Sequence, residues 1–283
     1  MVRRTVLFSP GDQPDLLRKA PKTGADVVVF DLEDAVAPTE KQTARNAVAD
    51  AVSELDTDCE LCVRINPLEF GGTDDIDSLV PVLSRLDSLM LPKVSGPEDA
   101  EAVSEYLDGH DSAVPLLAIL ETARGVLAAE DIAAVDAIDA LVLGAEDLSA
   151  DAGMTRSAEG TEILYARQHV VLAATSYGVD AIDTLHTDFR DTDGLVEDAA
   201  VSVDLGFDGK LAIHPDQVPV INDAFTPDDE RIEWALKVLD ARDEAVAEDR
   251  GVFSVDGEMV DAPLIAQAEA VVQRAAAAGA LPD

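Results

Sequence analysis

Basic residues are scarce in this chain of 283 residues: 20 Lys and Arg, only six of them Lys, stand against 58 Asp and Glu, for a formal charge of −38. That balance excludes a nucleic-acid binder, which needs a basic footprint to displace counterions from phosphate. An anionic membrane is an equally poor partner. Long apolar runs are also missing, and none approaches the roughly 18 to 20 residues of a membrane span. No secretory leader is evident, since Met1-Val2-Arg3-Arg4 passes straight into strand-like TVLFS; the expectation is a soluble cytoplasmic protein. Cysteine is nearly absent. Cys59 and Cys62 form a lone CELC without a second ligand pair, which favours two small buried thiols over a zinc or redox site. At spacing three they would also face opposite sides of a strand.

What is present is apolar bulk. Strong acidity usually signals disorder, but disorder also requires low hydrophobicity, and 47% of this chain is apolar. The expectation is a folded core under an acidic skin adapted to concentrated salt, where self-repulsion is screened to within a few ångströms. Stability should therefore rise with salt. Thermal unfolding in molar KCl is expected well above that in dilute buffer, and equal melting temperatures would contradict this.

Short apolar runs recur with helical stretches between them. Strands are predicted near 4–8, 26–31, 61–65, 88–92, 115–120, 139–144, 179–184 and 208–213, with helices such as Pro97–Leu107 and Thr161–Tyr177 between. Eight strands alternating with helices predict a single (β/α)8 TIM barrel over residues 1–226. Residues 227–283 read differently: a helix over about 228–249, a strand-like GVFSV, a turn at Asp256-Gly257 and a helix from about Pro263. This stretch predicts a helical lid appendage and not a further barrel unit.

Barrel enzymes do their chemistry just past the C-terminal ends of the strands. Here those places hold Ser9-Pro10-Gly11, Asp31/Glu33/Asp34, Arg64, Lys93, Glu121 with Arg124, Glu146-Asp147, Asp183 and Ile213-His214-Pro215. Acid is weak evidence in so acidic a chain, whereas base gathered at one face counts for more. Glu121 ends the apolar strand PLLAIL, and Glu146-Asp147 follow the apolar LVLG. Two neighbouring strands thus aim carboxylates at one spot, where without a partner at least one would take up a proton. A divalent cation removes the conflict, and hard oxygen donors in small number suit Mg2+, which keeps waters that a substrate can displace. Pairing of Glu121 with Arg64 or Arg124 in a salt bridge is the alternative. His214, at the end of the eighth strand, could be a metal ligand or a base or merely cap the barrel, while His110, His169 and His186 read as ordinary surface residues.

Nine stretches in one order, LFSPGDQPDLLRKA, DVVVFDLEDAVAPTEK, VRINP, LMLPKV, ILETARGV, LGAEDLSADAG, AIDTLHTDFRD, GFDGKLAIHPDQ and DGEMVDAP, together resemble the citrate lyase β-subunit-like (HpcH/HpaI aldolase) family of acyl-CoA lyases. The resemblance spans Arg3 to about Ala275. It implies a Mg2+-bearing barrel acting on a CoA thioester such as malyl-, β-methylmalyl-, citramalyl- or citryl-CoA, and a homo-oligomer, a trimer or hexamer. By the same resemblance Glu121 and Asp147 match the metal ligands, and Glu121 adjoins the substrate. Arg64 matches the arginine on the substrate carboxylate or thioester oxygen. Asp31, Glu33 and Asp34 form the acidic wall behind the metal, holding its waters. Lys19, Ile213 and His214 match coenzyme contacts, and Asp261 matches an acid/base aspartate delivered by the appendage, in many relatives to a neighbouring subunit. One departure stands out: where some relatives carry a second lysine in the first helix, this chain has Asp15 or Arg18.

Three activities share these motifs. One is a carbon–carbon lyase, one a thioesterase on the same esters, and one a non-catalytic subunit of a citrate lyase complex. No Schiff-base lysine is required by the first, so Lys93 is expected to position or neutralise a carboxylate.

Overall fold

Apolar strands that must bury both faces need helices outside and one another inside, and the chain meets both needs by closing on itself. The structure, a computed structural model, describes residues 2–247, 253–255 and 257–281. Its strands and helices run in the order β1 Thr5–Pro10, α1 Pro14–Lys19, β2 Val27–Asp31, α2 Lys41–Glu54, β3 Glu60–Arg64, α3 Gly72–Leu79, β4 Ser88–Leu91, α4 Pro97–Asp108 and β5 Leu116–Leu120. There follow α5 Ala123–Leu127, α6 Ala129–Ala133, β6 Ile138–Leu143, α7 Ala145–Ala152, α8 Leu164–Tyr177, β7 Asp180–Asp183, α9 Thr192–Leu205, β8 Gly209–Ala212 and α10 Gln217–Phe225. Strands β1 to β8 form a closed parallel barrel in sequence order, with β8 pairing back onto β1. All eight expected strands are present. Closure requires β8 to approach the chain start closely: a Cβ on Gly209 would lie 1.8 Å from the Arg3 carbonyl oxygen, so only glycine fits.

Alternation along each strand sorts the barrel's two faces. Val6, Val27, Val29, Cys62, Met90, Leu117, Ile119, Ala140, Val142, Ile182 and Leu211 form one buried cluster that fills the interior. Cys62 is therefore core, as expected. Cys59 lies before β3 and is half-buried, so the two thiols do not oppose one another across a strand. At the amino-terminal end of the barrel Arg3 is sunk among carboxylates, its Nε 2.7 Å from Glu60 and its Nη1 2.9 Å from Asp180.

The same alternation overturns the placement of Asp183 at the mouth. Ile182 and Leu211 point inward, so Asp183 and Lys210 point outward beneath the helices. Both are 0% exposed. Asp183 is bonded by Arg167 of α8 and by Ser202 of α9 (2.6 Å), while Lys210 Nζ reaches Asp198 of α9 at 2.8 Å. His186 lies 3.6 Å from Asp198 and is part of this cluster, not an ordinary surface residue. Burial alone would raise Asp183 and Asp198, but Lys210 and Arg167 outweigh it and hold both carboxyls below the usual range. Such depressed carboxyls add stability above their ordinary titration range, and this is lost as pH falls through the lowered values. Asp183→Asn leaves buried cations underpaired and is expected to cost about 3 kcal/mol or more. Urea unfolding at neutral pH checks this, and a change under about 0.5 kcal/mol, typical of a surface site, would contradict it.

The chain divides into two compact units, Arg3–Asn222 and, separately, Met1–Val2 with Asp223–Asp283. The second unit holds α11 Asp229–Ala247, a two-stranded antiparallel sheet of β9 Phe253–Val255 and β10 Glu258–Val260, and α12 Ala262–Ala277. Ala235, Val238, Val260 and Ala268 form its core, with Trp234, Phe253 and Leu264 packed against it. The last residues of the helix expected over 228–249, the first two of GVFSV, and Asp256 of the expected turn lie outside the described residues.

Candidate active site

The inward face of each strand ends in the residue that alternation puts next at the mouth. Val27 and Val29 lead to Asp31, Cys62 leads to Arg64, and Leu117 and Ile119 lead to Glu121. Asp31 and Arg64 are also register partners across β2 and β3. Arg64 Nε and Nη2 grip the two oxygens of Asp31 at 2.7 and 2.6 Å. Its Nη1 lies 3.1 Å from Glu33 Oε2, and its guanidinium lies over the Phe8 ring, 4.8 Å from the centroid. The hydrogen bonds to Asp31 use Nε and one N–H of Nη2, and the terminal nitrogens keep further N–H groups for a ligand.

Asp31 holds more than Arg64. Beyond Arg64 its oxygens accept the backbone N–H groups of Glu33 (2.8 Å) and Ala35 (3.0 Å). A carboxylate so fully engaged orients the arginine and the turn. Glu33, also buried, bridges Arg64 and the Lys93 ammonium; burial pushes its carboxyl up, and the two cations oppose that. Asp34 is exposed.

Glu121 is 4% exposed and pairs with neither arginine considered for it. Arg64 is committed to Asp31 and Glu33, and Arg124 turns outward to Glu98 at 3.0 Å. Its Oε1 accepts the Lys93 backbone N–H at 2.8 Å. On the other side Gly144, after β6, leaves room for the carboxylate, since a Cβ there would stand 2.8 Å from Oε2. Burial pushes the Glu121 carboxyl up to about 8; the Lys93 amide opposes this, Glu33 and Asp147 add to it, and Arg64 counters weakly. Asp147, in the first turn of α7, is exposed. Its neighbour Glu146 is turned away to Arg156 at 2.8 Å, so of that pair Asp147 keeps its carboxylate free for the mouth.

These residues fit a divalent cation. A buried carboxylate short of positive charge, a second acid beside it and a glycine-shaped space are what a cation would complete. Among the described residues no three His, Cys, Asp or Glu side chains converge as a metal-holding group. Two protein oxygen donors with the remaining positions left to water and substrate suit Mg2+ better than zinc.

The other candidates are spread around the strand ends. Lys19 is the exposed last residue of α1. Ile213 and His214 follow β8; both backbone N–H groups donate to Gln217 Oε1, at 2.8 and 3.1 Å, and Gln217 Nε2 donates to the His186 carbonyl at 2.9 Å. Gln217 is buried and ties the loops after β7 and β8 together, a role that nothing in the pattern around it signals. The His214 ring stacks on Phe189 with centroids 4.6 Å apart. Asp261, in the second unit, is the N-cap of α12, accepting the Leu264 N–H at 3.3 Å, and is exposed.

A closed eight-stranded α/β barrel whose mouth gathers a fork-bound arginine and unneutralised carboxylates defines a barrel enzyme. Residues 4–215 match the model of the HpcH/HpaI aldolase/citrate lyase family, and the chain belongs to that family. It is 37% identical to human mitochondrial citramalyl-CoA lyase over 287 residues, covering 95% of this chain and 84% of that one. It is 38% identical to a citrate lyase subunit beta-like protein of Mycobacterium tuberculosis over 276 residues, covering 95% and 94%. A crystal structure of CitE from M. tuberculosis in complex with magnesium, acetoacetate and coenzyme A is similar with a TM-score of 0.78 and 37% identity, over 97% of this chain and 98% of that one. The barrel fold and the lyase family expected from the motifs are both borne out. No helix among the described residues is long and apolar enough to cross a membrane.

Proposed function

We propose that the protein is a Mg2+-dependent lyase that cleaves a carbon–carbon bond in a short 3-hydroxydicarboxyl-CoA thioester of the malyl, β-methylmalyl, citramalyl or citryl type. The observation that carries this is Glu121: a buried carboxylate at the barrel mouth that makes no salt bridge among the described residues and feels the charge of Asp147. Support comes from the citramalyl-CoA lyases at 36–37% identity and from the CitE complexes with magnesium and short oxo acids.

Cleavage breaks the bond between the α and β carbons. The hydroxyl gives up its proton to water at the mouth and becomes a carbonyl, and the bonding pair passes into a thioester enolate. Glu121 and Asp147 would hold Mg2+, which when bound supplies Lewis-acid stabilisation of the hydroxyl's developing charge and orients the adjacent carboxylate. Arg64 offers its remaining N–H groups to the enolate oxygen or the substrate carboxylate, held rigid by Asp31 and Phe8. Asp261 delivers a proton to the enolate carbon, and removes it in the reverse condensation. Lys19, Ile213 and His214 contact the coenzyme. Asp31 and Glu33 act behind the metal by fixing Arg64 and Lys93. The working form on this reading is a cytoplasmic, salt-adapted trimer or hexamer in which the second unit serves its own or a neighbouring barrel.

The test is ester consumption by the isolated chain across a panel of malyl-, β-methylmalyl-, citramalyl- and citryl-CoA, with Mg2+ and with chelator. Mg2+-dependent loss of at least one ester is expected. No consumption of any would favour a subunit without activity of its own and defeat the proposal.

A further inference from the structure

Lys93 stands where the ordinary rules of strand ends are broken. Its φ is 56°, one of two positive values among the non-glycine residues described, and a long side chain adopts that left-handed backbone at a cost. The departure moves one amide. Val94 N–H, immediately after, bonds the Ile119 carbonyl of β5 at 3.2 Å, whereas the Lys93 N–H donates to Glu121 Oε1 at 2.8 Å. The side chain reaches across the mouth to the Glu33 carboxylate, and the Lys93 carbonyl accepts the Ser95 hydroxyl at 3.2 Å. Every polar group of this residue is thus engaged. The other oxygen of Glu33 faces the Arg64 guanidinium as an ion pair at 3.1 Å.

We infer that Lys93 is a positioning residue: its left-handed turn, anchored by the ammonium on Glu33, holds Glu121 by one oxygen and presents the other to a divalent cation. Oε2 has no partner among the described residues, and the absent side chain of Gly144 leaves it room. The left-handed turn carries the following amide, that of Val94, onto the Ile119 carbonyl and leaves the Lys93 N–H for Glu121, without which the carboxylate could rotate. The conformation persists because the ion pair over-determines it. The inference rests on the proposed cation site at Glu121 and Asp147.

Mn2+ binding to the substrate-free full-length protein, read from the free-ion EPR signal, tests it. Lys93→Met keeps side-chain length and loses the anchor, and its Mn2+ affinity is expected to fall roughly tenfold, the scale of losing an outer partner of a ligand. Lys93→Arg should remain within about threefold of wild type. Glu33→Gln cuts the same contact from the other end, so it carries the test if Lys93→Met fails to fold. Combined with Lys93→Met it should add little, because both act through one contact. Wild-type affinity in Lys93→Met, or in Glu33→Gln if the former cannot be obtained, overturns the inference. Asp147→Asn separates the two levels. If it loses Mn2+ while Lys93→Met does not, the site stands and the role of Lys93 falls; if Asp147→Asn binds as wild type, the site itself falls and takes the inference with it.

Discussion

Asp147→Asn is expected to reduce turnover by more than about a thousandfold and to weaken Mg2+ binding on the order of a hundredfold, without altering the fold. The substitution preserves shape and removes the ligand charge. Glu121 then has no second carboxylate to share the cation with, and a buried acid already pushed up to about 8 protonates more readily than it binds metal alone. Stability should barely change: Asp147 is exposed in the first turn of α7, where its favourable interaction with the helix dipole is worth about 0.3–1 kcal/mol. Isothermal titration with Mg2+, alongside thermal unfolding, measures both. Full activity of this variant, or of the wild type with chelator, would contradict the metal assignment.

Asp261→Ala should lower turnover by roughly 10² to 10⁴, the range for loss of a positioned acid or base, while Mg2+ binding stays intact. The residue has a second duty that must be separated from the first. As the N-cap of α12, its loss costs about 1 kcal/mol of stability. Asp261→Asn keeps a capping oxygen and removes the transferable proton, so it should match the alanine variant in turnover and the wild type in melting temperature. Turnover restored in the asparagine variant would reduce Asp261 to a cap. Mixing Asp261→Ala with Asp147→Asn should recover part of the activity if the second unit serves a neighbour, since one hybrid site joins an intact barrel to an intact Asp261. Absence of rescue in verified mixed oligomers would assign Asp261 to its own chain.

The barrel was legible because eight apolar runs with helices between them admit few other closures, and the mouth because strand ends are marked by where those runs stop. That ground puts Arg64 and Glu121 at the mouth, and alternation from Cys62 and Ile119 does the same. Asp183, by the same alternation, does not reach the mouth. One residue after the inward Ile182 it must face the helices, and its partners Arg167 and Lys210 lie far along the chain, where no local pattern announces them. Arg124 lay close enough in sequence to Glu121 to suggest a pair, yet the short helix α5 carries it outward. Past the last strand residue the chain has no period to read. There the backbone of Lys93 and the clasp of Gln217 are settled by hydrogen bonds between loops, which only the folded chain displays. Asp31 was recognisable as belonging to the site, but that its four contacts are spent on Arg64 and its own turn was not.

The central claim is that the barrel mouth breaks a carbon–carbon bond, and product identity tests it most directly. With Mg2+ and the ester consumed fastest, each substrate lost should yield one shorter acyl-CoA and one 2-oxo acid, with no free coenzyme A. Release of free coenzyme A together with the intact hydroxydicarboxylic acid would show hydrolysis of the thioester instead and contradict the account.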